Sequence, residues 1–137
     1  MPCELCKTNN EKYRVVLEDE FSFSLVNIEP MNDGHLMVLP KRHVERLSDL
    51  TPEESMSIMR MLYKLSGVLE RVFPEPNMIA LNMGKNTSQD HIHFHILPTE
   101  IKGGFRGIYT TVLNRPFRTE AKKEKLTEIA NNIKKHL

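Results

Sequence analysis

The segment His91-Ile92-His93-Phe94-His95-Ile96-Leu97 holds three of the six histidines in the chain. In an extended strand alternate side chains share a face, so the three imidazoles point one way and Ile92, Phe94 and Ile96 the other. Burying the apolar set fixes that register. At ~3.3 Å per residue the rings would recur every ~6.5 Å. Three readings suit such a row. Imidazole is a common transition-metal ligand, so the row itself is a candidate metal site. An imidazole ordinarily titrates near ~6.5, so at neutral pH one ring can be a nucleophile while a neighbour carries a proton. The third reading is structural, and it requires a separate polar partner for each ring in an otherwise apolar sheet.

A second group of reactive side chains opens the chain. Cys3 and Cys6 are its only cysteines. A disulfide across two intervening residues would cross-link almost nothing. In a reducing compartment a C-x-x-C pair is more often a metal or redox pair. A redox pair belongs at the start of a helix in a βαβ setting, which the pattern here lacks. The separation from His43 and His91 is not that of a zinc finger. On the residues alone, metal ligands and free thiols both stay open.

These residues must be positioned by the elements around them. Phe21-Ser22-Phe23-Ser24-Leu25-Val26-Asn27 alternates apolar and small polar residues and reads as a half-buried strand. Residues 30–34 are turn-rich, and His35-Leu36-Met37-Val38-Leu39 reads as a second strand stopped by Pro40. Together they predict a hairpin with a five-residue connection. Thr51-Pro52-Glu53-Glu54 is a capping box with proline at the first helical position, and Pro74 ends the helix at about Phe73. Ile58, Met61, Leu62, Leu65, Leu69 and Val72 form its apolar stripe. Met56, Met59 and Tyr63 widen that stripe, which fits either a deeply buried helix or a dimer contact. Residues 78–83, 91–97 and 108–113 read as further strands. Leu126, Ile129, Ala130 and Ile133 place a helix in residues 120–137. The sum is an α+β domain with an antiparallel sheet of about five strands, one long central helix and a C-terminal helix.

The 137 residues fit a single domain, 1–137. A net charge of +1 gives no overall attraction to nucleic acid or an acidic membrane surface. The lysines near the C-terminus are interleaved with acids and read as a solvated helix face. No apolar run approaches the ~20 residues of a membrane span, and no signal peptide is recognised before Cys3, so a cytoplasmic location is expected.

The His-φ-His-φ-His-φ-φ pattern of residues 91–97, with φ apolar, resembles the signature of the histidine-triad (HIT) family of nucleotide hydrolases and transferases at every position. The likeness extends further. Phe23-Ser24-Leu25-Val26-Asn27, Pro30 and Gly34-His35-Leu36-Met37-Val38-Leu39-Pro40-Lys41-Arg42-His43 resemble the family's N-terminal hairpin, residues 51–72 its long helix, and Asn82-Met83-Gly84 its phosphate-side segment. The core of the match is residues 3–98. The remaining 99–137 would supply a specificity loop, a strand and the C-terminal helix.

The resemblance implies a role for each matched residue. His93 would attack the α-phosphorus and form a nucleotidyl-histidine, which water or another acceptor then resolves. His95 would donate to the leaving atom, and His35 would support the triad from the hairpin. Asn27 would face the ribose hydroxyls, or else simply start a turn. Phe23, Leu25 and Met37 would line the base pocket, or else be plain core. Asn82 and Ser88 would contact phosphate, although Asn86-Thr87 stands where many members carry Gly-Gln. Cys3, Cys6, His43 and His91 would hold a structural zinc, leaving His93 and His95 to carry the chemistry. The implied protein is a homodimeric, purine-preferring enzyme that cleaves at the α-phosphate, with dinucleoside polyphosphates favoured. Purine nucleoside phosphoramidate hydrolysis, dinucleoside polyphosphate phosphorolysis and nucleotide binding without turnover are the alternatives. His95 argues against sugar-phosphate transfer, because related uridylyltransferases carry glutamine there. Gly103 and Gly104 suggest a flap near the site.

Overall fold

The structure is a computed structural model, and it describes residues 3–81, 90–103, 106–107 and 119–137. Its centre is a five-stranded antiparallel sheet: β1 (Val15–Glu18), β2 (Ser22–Val26), β3 (Leu36–Pro40), β4 (Asn77–Leu81) and β5 (Phe94–Pro98), in the order β1-β2-β3-β5-β4. Three α-helices accompany it among the described residues: α1 (Glu4–Lys7), α2 (Pro52–Val72) and α3 (Lys123–Lys134). This is the expected α+β architecture, with one long helix.

Register assigns each strand residue to a face. Val15 pairs with Leu25, Leu25 with Met37, Met37 with His95 and His95 with Ala80, so this row shares one face. Phe23 and Leu39 pair on the same face. On the other face Val26, Leu36, Val38, Phe94 and Ile96 pack with α2 and α3 in the main core. The histidine face carries a smaller apolar cluster, in which Leu5 of α1 covers Val15, Phe23, Leu25, Met37 and Leu39.

Helix α2 starts where the sequence places it. The Thr51 hydroxyl accepts from Glu54 N–H at 3.1 Å, and Glu54 Oε1 accepts from Thr51 N–H at 2.8 Å. Arg42 donates to both Glu54 oxygens, at 2.8 and 3.0 Å. That holds the Glu54 carboxyl down to about 2. Met56, Met59 and Tyr63, at 61%, 64% and 82% exposure, lie outside the core, so the deeply buried helix is not what forms. They sit three and four residues apart on the outer face of α2. Ile79 on the edge strand β4 is also exposed and lines a groove with Met59 and Tyr63.

Several boundaries differ from expectation. The hairpin connection is residues 27–35, longer than five residues, because Asn27 and His35 lie outside the ladder and pair through Asn27 N–H to His35 O at 3.0 Å. The strand expected over 91–97 begins at Phe94 and runs to Pro98. Ahead of it, the Ile92 N–H donates to the Val44 carbonyl at 2.7 Å instead of to a neighbouring strand. The strand expected over 78–83 runs Asn77–Leu81, and the one expected over 108–113 lies outside the described residues. Strand β1 and helix α1 were not foreseen. Gly34 is required by packing: a Cβ there would sit 2.6 Å from Pro98 side-chain atoms and 2.9 Å from Phe73.

Candidate active site and metal centre

The described catalytic candidates come from two segments: His35 ends the 27–35 connection, His93 lies on the approach to β5 and His95 within it. His35 is buried, at 2% exposure, and its Nδ1 accepts from the Met31 N–H at 3.1 Å. A backbone N–H can only donate, so the neutral His35 ring carries its proton on Nε2. Nε2 lies 2.9 Å from His95 Nδ1 and donates to it. His95 is thereby set with its own proton on Nε2. The order Met31 N–H, His35, His95 thus fixes two tautomers from one main-chain donor.

His93 is fixed by a different device. Its Nδ1 lies 2.8 Å from the carbonyl oxygen of His91, and a carbonyl only accepts. Nδ1 therefore holds the proton, and Nε2 keeps its lone pair. The His93 and His95 rings meet edge to face with centroids 5.0 Å apart, and those of His95 and His35 are 5.1 Å apart. The 5.0 Å between the His93 and His95 rings is shorter than the ~6.5 Å repeat of a regular strand, and His93 precedes the strand with its ring turned to its own main chain.

The His91 ring has a separate set of partners: Cys3, Cys6, Pro40 and His43. It is fully buried, and its Nε2–H donates to the Pro40 carbonyl at 2.8 Å. Its Nδ1 lone pair faces Cys3 Sγ at 3.6 Å and Cys6 Sγ at 3.4 Å. His43 Nδ1 lies 3.4 Å from Cys6 Sγ. One donor atom from each of the four residues falls within 4.8 Å of all the others. A tetrahedral zinc, with bonds of ~2.3 Å to sulfur and ~2.0 Å to nitrogen, separates sulfur from nitrogen by about 3.5 Å. The sulfur–nitrogen distances match that edge. Burial lowers the His91 pKa, which keeps the ring neutral as a ligand must be. The Cys6 thiol is pushed up by desolvation and then by Cys3, and a bound metal would reverse this, since a coordinating thiol is deprotonated. The donor set, the tautomer and the spacing all fit zinc.

The remaining candidates divide. Asn27 is buried beside the triad, with Nδ2 3.4 Å from His35 Nε2, but its Oδ1 accepts from Glu29 N–H at 2.9 Å. That is the turn-starting bond of an Asx turn. Leu25, Phe23 and Met37 share the sheet face of His95, and they are 0%, 1% and 5% exposed beneath Leu5. Asn82 and Ser88 lie outside the described residues, as does Gly104. Sequence reasoning missed Leu5 as cover for this face, and Met31 and Pro40 as partners of the histidines. The last two act through main-chain atoms, which leave no side-chain signal.

Fold and site together define a small α+β protein built round a histidine-bearing strand. The family model of the HIT domain matches residues 8–101, and the chain belongs to that family. It is 42% identical over 82 residues to a bis(5'-adenosyl)-triphosphatase of Dictyostelium discoideum, covering 58% of this chain and 55% of that protein. It is 33% identical over 99 residues to an AP-4-A phosphorylase of Mycobacterium tuberculosis, covering 69% of this chain and 51% of that one. The chain thus spans about half the length of each of these two relatives. Among solved structures, a Zn-bound histidine triad family protein from Mycobacterium smegmatis superposes with a TM-score of 0.70 at 24% identity, covering 98% of this chain and 94% of the other.

Proposed function

We propose that the protein is a nucleotide hydrolase or nucleotidyl transferase that cleaves nucleoside phosphate derivatives at the α-phosphate through a nucleotidyl-histidine. The observation that carries this reading is the 2.8 Å bond from His93 Nδ1–H to the His91 carbonyl, which leaves a lone pair on Nε2. In the first half-reaction that lone pair attacks phosphorus, the bond to the leaving polyphosphate breaks, and His95 Nε2–H gives the departing oxygen its proton. In the second, water attacks the same phosphorus while His95 takes up a proton from it. The phosphorus–nitrogen bond breaks and the lone pair returns to His93.

The names of the relatives favour dinucleoside polyphosphates as substrates. Phosphorolysis is the second reading, supported by the likeness to the phosphorylase: phosphate then takes the place of water, and the first half-reaction is unchanged. A phosphoramidate substrate would alter only the leaving atom that His95 protonates. Asn27 at the ribose, Leu25, Phe23 and Met37 at a purine base, and Asn82 and Ser88 at phosphate complete the proposed site. Cys3, Cys6, His43 and His91 would hold zinc, which as a closed Cys2His2 centre supplies cross-linking rather than an open reactive position. Thiols in such a centre suit a reducing compartment such as the cytoplasm.

The test offers diadenosine polyphosphates, purine nucleoside phosphoramidates and sugar nucleotides, with and without inorganic phosphate, and ranks the specificity constants. The top rank is expected for a dinucleoside polyphosphate. Quenching during turnover should trap a phosphorus–nitrogen adduct on His93, and His93→Ala should abolish both adduct and activity. Turnover by the His93→Ala variant at the wild-type rate would refute the reading.

A further inference from the structure

The β3–β5 ladder stops one residue short of His35, its last pair being Leu36 with Ile96. Continuing that register would set His35 opposite Leu97 and Gly34 opposite Pro98. Proline has no N–H to give, and the Gly34 N–H is held by Asn32 Oδ1 at 3.1 Å. A side chain closes the seam instead: Asn32 Nδ2–H donates to the Pro98 carbonyl at 2.6 Å. These two partners leave one orientation for the amide, since the Gly34 N–H only donates and the Pro98 carbonyl only accepts. The Asn32 main chain adds a third bond, its carbonyl accepting from the His35 N–H at 3.2 Å. One residue therefore holds the turn before His35, the His35 main chain and the end of β5. These bonds span the same seam as the 2.9 Å contact between His35 Nε2 and His95 Nδ1.

We infer that Asn32 is a positioning residue: its amide ties the 27–35 connection to the end of β5 and so sets the distance across which His35 reaches His95. This rests on the proposed role of His95 as proton donor to the leaving group. His35 lies outside the ladder, so the connection places its main chain: Asn27 N–H donates to its carbonyl at 3.0 Å, and the Asn32 carbonyl takes its N–H. Both of those bonds stay within residues 27–35, and neither reaches β5. The Asn32 amide does reach it. Gly34 permits the close approach, because a Cβ there would meet the Pro98 ring at 2.6 Å. Loss of the Nδ2–H takes that donor from the Pro98 carbonyl and lets the connection lift from β5. The His35–His95 contact then lengthens, and the His95 ring loses the support that aims its proton. A displacement of ~1 Å at a reacting group can cost about 100-fold in rate, so part of such a shift, transmitted through His35, is expected to cost about tenfold.

The experiment separates the two ends of the Asn32 side chain. Asn32→Asp has the same shape and keeps an oxygen for the Gly34 N–H, but it sets a second acceptor against the Pro98 carbonyl. Asn32→Ala removes both bonds. Each variant is compared with wild type by steady-state kinetics on a diadenosine polyphosphate and by nitrogen-15 spectra that read the coupling across the His35–His95 hydrogen bond. Asn32→Asp should lose most of that coupling, with kcat down about tenfold and KM within about twofold, because substrate contacts are kept while proton delivery is misdirected. Wild-type coupling and kcat in Asn32→Asp would overturn the inference even where Asn32→Ala is impaired, since the local turn alone would then place His35. A rise in KM with kcat unchanged would overturn it as well, by assigning Asn32 to substrate binding. In labelled wild-type protein the Asn32 side-chain nitrogen should couple to the Pro98 carbonyl carbon. Absence of that coupling would overturn the inference without recourse to any variant. Full turnover by His93→Ala would refute the nucleotidyl-histidine reading instead, and the two couplings would still report whether Asn32 holds the seam.

Discussion

His35 makes no direct bond to phosphorus in the proposed chemistry, yet it decides which nitrogen of His95 holds a proton. Replacing it with alanine leaves His95 Nδ1 without that donor, and the proton can settle on the wrong nitrogen. The expected result is a fall of about 100-fold in kcat with KM little altered, measured by steady-state kinetics. A glutamine at position 35, able to donate through its amide, should recover part of the loss. A second single-residue effect lies outside the site. Glu54 is 4% exposed, bound by Arg42 and by the Thr51 N–H, and its carboxyl is held down to about 2. A folded-state value below the unfolded one stabilises the protein above the ordinary carboxylate range, and that stability is lost as pH falls toward 2. Glu54→Gln should therefore lower stability by about 2 kcal/mol at neutral pH and flatten the acid side of a denaturation profile taken between pH 5 and 2.

At the scale of elements, the long helix was readable because its start is written in side chains: threonine, proline and glutamate at fixed offsets, and a proline beyond the end. The β2–β3 hairpin was readable from alternation. Strand β1 was not, since Val15-Val16-Leu17-Glu18 is short and its pairing with β2 is shifted between Val15 and Leu17. The start of β5 was misplaced for a related reason. The alternation of residues 91–97 is as regular in sequence as a strand can be, but a distant carbonyl at Val44 takes the Ile92 N–H. The triad histidines were therefore legible, and the atoms that fix their tautomers were not, because Met31, Pro40 and His91 act through the main chain. Alternation puts Leu25 and Phe23 on one face of their strand, but only the long-range register of β2, β3 and β5 makes it the face of Met37 and His95, and their cover by Leu5 depends on the return of α1. Gly34 joins the 27–35 connection to the end of β5. Gly34→Ala would push its new methyl into the Pro98 ring and Phe73, so a loss of roughly 1–3 kcal/mol is expected in urea unfolding.

The apolar groove between α2 and the β4 edge is a feature of the whole molecule. Met59, Tyr63 and Ile79 are exposed together along it, beside a strand that is the sheet edge among the described residues. A second copy of the chain related by a two-fold axis would cover both at once. Tyr63→Glu would place a charge in that proposed contact, and the expected outcome is a dimeric wild type and a monomeric variant in sedimentation velocity. A monomeric wild-type protein at micromolar concentration would argue against this arrangement.

The neighbouring of β3 and β5 has a consequence for how the protein matures. His35 and His95 stand 60 residues apart in the chain and bond only across that seam. The β2–β3 hairpin and α2 can each form from local sequence, but neither one assembles the proton chain. Closure over so long a loop is slow compared with local zippering. Turnover should accordingly reappear late during renaturation from denaturant, after helical ellipticity has recovered, so catalysis itself becomes a reporter of the last long-range step. Ellipticity and turnover returning with one common rate constant would show instead that the seam closes together with everything else.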